Sequence, residues 1–157
     1  LRENFDRVLA WIQEDEGGGA VRSDEPGGAV FHGVSLVAYA QYRKRHGQPV
    51  PTVDDLMNLS LEDEKAIYRE DYADRIAFDT LPWPVDYALL NAAVMSGVNS
   101  ARSMWLKARN EDPSLTAYGI IILQMQKMMQ KPNVAKFGMG WANRMVRVME
   151  RINGHVA

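Results

Sequence analysis

Residues 5–35 read FDRVLAWIQEDEGGGAVRSDEPGGAVFHGVS, an apolar-striped segment that runs into carboxylates and then into a glycine-rich loop. Phe5, Val8, Leu9 and Ile12 fall at i, i+3, i+4 and i+7, the spacing of one face of an α-helix. That spacing predicts a first helix from about Arg2 to Glu14, with Asp6, Arg7 and Gln13 on its wet face. Glu16 stands four residues beyond Ile12 and continues the apolar face. A carboxylate at the end of a buried stripe is costly to ionise, and a group that holds its proton near neutral pH is what a general acid must be. Two readings of Glu16 stand on the residues alone: a general acid, or a frayed helix end beside Glu14 and Asp15.

Gly17, Gly18 and Gly19 end the helix and open backbone conformations closed to other residues. Asp24 and Glu25 then precede a Pro26-Gly27-Gly28 turn and a short apolar run to Gly33. Glycines placed this way let a ligand approach the main chain closely, which suits a long polymer in a groove. A glycine-rich stretch is equally a plain connection.

The chain has 157 residues, of which 46% are hydrophobic and 24% charged, enough for one compact domain or two small ones sharing a core. A net charge of −2 with no basic stripe gives no reason to expect a nucleic-acid partner. Cysteine is absent, which is compatible with reducing and oxidising compartments alike. No apolar run approaches the roughly 18 residues of a membrane span. No export signal is visible, and a chain that begins with leucine can be a processed chain or a piece of a longer one. His32, His46 and His155 are scattered without ligand spacing, so neither metal nor cofactor is expected.

Downstream the pattern stays helical. Ser35 is placed to cap a helix through Tyr39, Tyr42 and Arg45, and Thr52 a short one through Leu56 and Met57. Ser60-Leu61-Glu62-Asp63 resembles a capping box ahead of Ala66, Ile67, Tyr68 and Tyr72. Tyr68 and Tyr72 at i and i+4 serve either the core or a ligand. Pro84 opens a helix predicted to run unbroken from about Val85 to Arg109, apolar on nearly every side between Tyr87 and Val98. Asn91 in that setting needs hydrogen-bond partners, structural or on a groove floor. Leu115, Tyr118, Ile121, Ile122, Met125 and Met129 stripe the next helix; Val134, Phe137, Trp141, Met145, Val148 and Ile152 stripe the last.

The first segment resembles the start of glycoside hydrolase family 108, the bacterial and phage N-acetylmuramidases. That family opens with Glu-Gly-Gly-Tyr and, at fixed spacing, Asp-Pro-Gly-Gly-x-Thr-x-Tyr-Gly-Ile-Thr. Glu16, Gly17 and Gly18 match the first part; Pro26, Gly27, Gly28, Gly33, Val34 and Ser35 match the second without insertion. Glu25 takes the place of the aspartate, Gly19 and His32 of tyrosines, and Val30 of threonine. Further on, Ile67, Tyr68 and Tyr72 match the next signature with Ala73 in place of tryptophan, and Asn91 stands where the family has aspartate. Phe137, Gly140, Trp141 and Arg144 resemble a Phe-x-x-Gly-Trp-x-x-Arg pattern in the peptidoglycan-binding module that follows the muramidase domain.

The resemblance implies a mainly α, lysozyme-like fold with a glycine-rich active-site loop, built around a buried central helix. It implies a muramidase-like domain over 1–92 and a small helical peptidoglycan-binding-like module over 93–157. Glu16 becomes the catalytic acid; Asp24 and Glu25 are the nearby candidates in sequence for a second carboxylate, and a single essential glutamate with a bound water is the equal alternative. Gly18, Gly28, His32, Tyr68, Tyr72, Asn91, Trp141 and Arg144 become candidate contacts to peptidoglycan glycan strands. The Trp141-Arg144 pair could stack on a sugar or pin two helices together. The implied activity is lysozyme-type hydrolysis at the cell wall or periplasm, or from a phage virion. The alternative, prompted by the departures, is a weakened or inactive relative that binds glycan or builds part of a phage particle.

Overall fold

A computed structural model describes residues 2–16 and 29–154. The described chain is mainly α, as the sequence leads one to expect. In order it forms α1 (Arg2–Glu16), a hairpin of β1 (Val30–Phe31) and β2 (Val34–Ser35), α2 (Leu36–Arg45), α3 (Val53–Met57) and α4 (Leu61–Tyr68). A π-turn (Arg69–Ala73) and two 3-10 turns (Asp74–Ile76, Phe78–Thr80) lead to α5 (Val85–Ser96), α6 (Val98–Ala108), α7 (Pro113–Met129) and α8 (Val134–Asn153). Two compact units divide between Asp71 and Tyr72. The 92/93 division expected from the sequence falls inside α5, whose residues Val85–Ala93 are all buried and whose sides pack on α6 and α7.

In the first unit the predicted α1 stripe is the buried one: Phe5, Val8, Leu9 and Ile12. The helix continues two residues past the predicted end, so Glu16 closes it. Three hydroxyl caps start the next helices as their sequences suggest. Ser35 Oγ accepts from Ala38 N at 3.1 Å, Thr52 Oγ1 from Asp55 N at 3.1 Å, and Ser60 Oγ from Asp63 N at 3.0 Å. The reciprocal capping box forms at Thr52–Asp55, where the Asp55 carboxylate accepts from Thr52 N at 2.7 Å. That bond and a second one donated to the carboxylate by Thr52 Oγ1 at 2.9 Å, with Arg43 nearby, hold the Asp55 carboxyl below its ordinary value. Burial raises Tyr39 and Tyr42, with the Asp63 carboxylate reinforcing the effect on Tyr42.

In the second unit the long predicted helix is two helices. Gly97 takes φ +84° and ψ 150°, a conformation closed to other residues, and separates α5 from α6. Gly119 lets α7 lie close on α6, since a Cβ there would stand 2.8 Å from Ala108 Cβ. The buried side of α7 is Ala117, Ile120, Ile121, Gln124 and Met128, rotated from the predicted stripe; Leu115, Ile122 and Met129 are exposed. On α8 the predicted stripe holds at Met145, Val148 and Ile152, while Phe137 is exposed and Trp141 half-buried.

Candidate active site

The hairpin is set by two residues with left-handed backbone. His32 at φ +50° and Gly33 at φ +78° join β1 to β2, the pattern of a two-residue type I′ turn. Val30 pairs with Ser35 and Phe31 with Val34, and Leu36 N donates to Ala29 O at 2.8 Å. Ser35, the last hairpin residue, is also the cap of α2, so the turn is fixed at its base by a helix.

The tip of this turn meets the end of α1. A Cβ on Gly33 would lie 3.1 Å from Glu16 Cγ and 2.5 Å from Tyr68 Oη, so only glycine allows this approach. Tyr68, fully buried, donates its hydroxyl to the carbonyl of His32 at 3.2 Å. Glu16 itself is half-buried. A half-buried carboxyl group at a helix end, flanked by a rigid hairpin and a buried tyrosine, can meet a ligand without being lost in the core.

A second carboxylate lies under the hairpin. Glu64 is 1% exposed. Its Oε1 accepts from Gln13 Nε2 at 2.7 Å and its Oε2 is 3.2 Å from His32 Nδ1. The His32 ring stacks on Phe31 with centroids 4.1 Å apart and planes inclined by 12°. Glu64 was missed by sequence reasoning because it sits in the charged run Glu62-Asp63-Glu64-Lys65. Its signal was spacing: Glu64, Ile67 and Tyr68 fall at i, i+3 and i+4, one buried helix face.

Of the residues singled out from the sequence, the first unit brings together Glu16, His32 and Tyr68 around Gly33. Gly18, Asp24, Glu25 and Gly28 lie outside the described residues. Tyr72 is half-buried in the π-turn. In the second unit Asn91 and Arg144 meet in the interior: Arg144 Nε donates to Asn91 Oδ1 at 3.0 Å, and Asn91 Nδ2 donates to Gln124 Oε1 at 3.3 Å. Arg144 is 6% exposed, in keeping with the helix-pinning alternative. Trp141, three residues earlier, has the Lys131 ammonium 4.9 Å from its ring centroid.

A surface hollow of about 530 Å³ lies elsewhere, lined by Phe5, Asp6, Glu62, Lys65, Ala66 and Arg69. Asp6 is ten residues back along α1 from Glu16, roughly 15 Å of helix. Its charged walls are engaged locally, Lys65 with Asp6 at 2.5 Å and Arg69 over the Phe5 ring at 4.9 Å. Among the described residues no group of histidines and carboxylates is arranged to hold a metal, and no helix is long and apolar enough to cross a membrane.

Comparison with known proteins gives the family and a likeness of fold. No curated protein sequence matches the chain. Among solved structures it is similar to one titled "Structure of Brucella abortus SagA", at 24% identity and a TM-score of 0.78, covering 98% of this chain and 96% of that one. That likeness is one of fold, mainly α and lysozyme-like. The sequence profile described as "Glycosyl hydrolase 108" matches residues 9–97, a span that takes in Glu16, the hairpin, Glu64 and Tyr68. With more than half of its length matched, the chain belongs to the glycosyl hydrolase 108 family, a family of glycoside hydrolases.

Proposed function

We propose that this protein is an N-acetylmuramidase that cuts peptidoglycan glycan strands, with Glu16 as its general acid. Glycosidic cleavage needs a carboxylic acid to protonate the leaving oxygen as the bond to the anomeric carbon breaks. Glu16 delivers that proton; water supplies the hydroxyl to the anomeric carbon and returns a proton to the site. The observation that carries this reading is the packing of the Gly33 backbone against the Glu16 side chain, which holds a half-buried glutamate at the end of a helix with a buried apolar face. Preorganised geometry of this kind is what acid catalysis requires.

Glu64 is not the water-activating partner, because both of its oxygens are already engaged in the interior. That role stays with Asp24 or Glu25. Purified glycan strands incubated with the protein should yield fragments ending in reducing N-acetylmuramic acid. Fragments ending in reducing N-acetylglucosamine would mean the other linkage is cut.

A second reading, a glycan-binding relative that no longer turns over, is favoured by Val30 on β1, where the family pattern has threonine. Valine keeps the shape of threonine and lacks its hydroxyl. Saturable wall binding with no new reducing ends would favour it.

A further inference from the structure

His32 and Glu64 are linked by chemistry that reaches beyond holding the turn together. An ionised carboxylate only accepts hydrogen bonds. Glu64 Oε1 takes one from the Gln13 amide and Oε2 lies 3.2 Å from His32 Nδ1, the arrangement that a carboxylate makes with the Nδ1–H form of the ring. The ring is held on three other sides of the same problem. Its backbone carbonyl accepts from buried Tyr68, its φ of +50° is fixed in the turn, and its face lies on Phe31. One polar atom of the ring is then unassigned, Nε2, on a side chain 33% exposed and one residue from the glycine that touches Glu16. In a neutral imidazole whose Nδ1 is protonated, Nε2 is a hydrogen-bond acceptor.

We propose that Glu64 is a positioning residue that fixes the tautomer of His32, so that Nε2 accepts a hydrogen bond from a sugar hydroxyl or acetamido N–H of the glycan bound beside Glu16. The substrate class rests on the reading of the protein as a muramidase. The ligand feature selected is a donor group next to an apolar sugar face, which the stacked Phe31–His32 surface suits. Glu64 never touches the substrate and acts through the ring. Second-layer carboxylates orient histidines in the same manner at metal sites, where the partner of one nitrogen decides the state of the other.

Glu64→Gln is the informative variant because it keeps the volume and reverses the hydrogen bonding. Its amide oxygen still accepts from Gln13, while its NH₂ donates to Nδ1 and forces the proton onto Nε2. Long-range ¹H–¹⁵N spectra of the imidazole, taken at about pH 9 where imidazoles are neutral, read this directly. The wild type should show the Nδ1–H form and Glu64→Gln the Nε2–H form. In parallel, pelleting with purified peptidoglycan measures affinity without requiring turnover. Glu64→Gln should weaken binding about tenfold, the size of one good hydrogen bond. His32→Phe should weaken it similarly, and adding Glu64→Gln to His32→Phe should change nothing further.

An Nε2–H tautomer in the wild type would overturn the proposal. So would an inverted tautomer with unchanged wall affinity, or a full additional loss in the double variant. A wild type that binds walls tautomer-dependently and releases no reducing ends would defeat the muramidase reading while leaving this one intact.

Discussion

The backbone of Gly33 lies against the side chain of Glu16, with 3.1 Å between Glu16 Cγ and the place a Cβ would occupy. Gly33→Ala therefore meets two penalties. A left-handed φ costs an alanine about 1–2 kcal/mol, and the added methyl must displace Glu16 or Tyr68. Melting should fall by roughly 2–4 °C for each kcal/mol lost. Cleavage per folded molecule should fall as well, because relieving the clash moves the acid. Thermal denaturation with a reducing-end assay on the folded variant checks both. Full activity in this variant would mean the hairpin tip does not set Glu16.

Gly97→Ala is the control. Its φ of +84° and ψ of 150° lie in a region essentially restricted to glycine, yet a Cβ there would meet nothing within 4 Å. The cost, about 1–3 kcal/mol, comes from the backbone alone. Denaturant midpoints should drop while cleavage per folded molecule stays at the wild-type level.

Arg144 is placed to hold the second unit together through Asn91 and Gln124. Removing it leaves a buried amide oxygen without its charged donor and a void beside it. Arg144→Ala should cost about 2–4 kcal/mol, seen in urea unfolding, with no change in the affinity for purified walls. Reduced wall affinity at unchanged stability would return Arg144 to the glycan-contact role suggested by its spacing from Trp141.

Asp55 gives a pH signature. Its carboxyl is held below the ordinary 3.8 chiefly by the backbone and side-chain hydrogen bonds of Thr52. A lowered folded value means that the capping box stabilises above the unfolded value and stops doing so as pH falls through the lower, folded one. Asp55→Ala should thus be less stable than the wild type at pH 7, and the gap should close as the pH is taken below 3.8. A gap independent of pH would show that the ionised carboxylate is not what caps α3.

The parts of the fold that were legible in the sequence are those governed by local rules. The α1 stripe, the hydroxyl caps at Ser35, Thr52 and Ser60, and the buried α5 are each settled by a few adjacent residues. Gly97 was not legible, because a small residue in an apolar run serves equally as helix packing or as a break, and only its dihedral angles decide. The face of α7 was misjudged for a related reason. Both sides of that helix carry large apolar residues, and the neighbours that choose Ile120 and Ile121 over Leu115 and Ile122 are distant in sequence. At the site, Glu16 was visible from its register with Ile12. Glu64 was hidden because its value as a buried acceptor depends on Gln13 and His32, 51 and 32 residues away.

The most direct test of the central claim is Glu16→Gln. The amide keeps the size of the side chain and its packing on Gly33 but has no proton to give to a glycosidic oxygen. On purified peptidoglycan the wild type should clear the suspension and release reducing ends. The variant, with an unchanged melting temperature and wall affinity, should release them at least a hundredfold more slowly, the lower end of what a general acid supplies (about 10²–10⁴-fold). Equal rates of release from the two proteins would contradict the assignment of Glu16 as the acid.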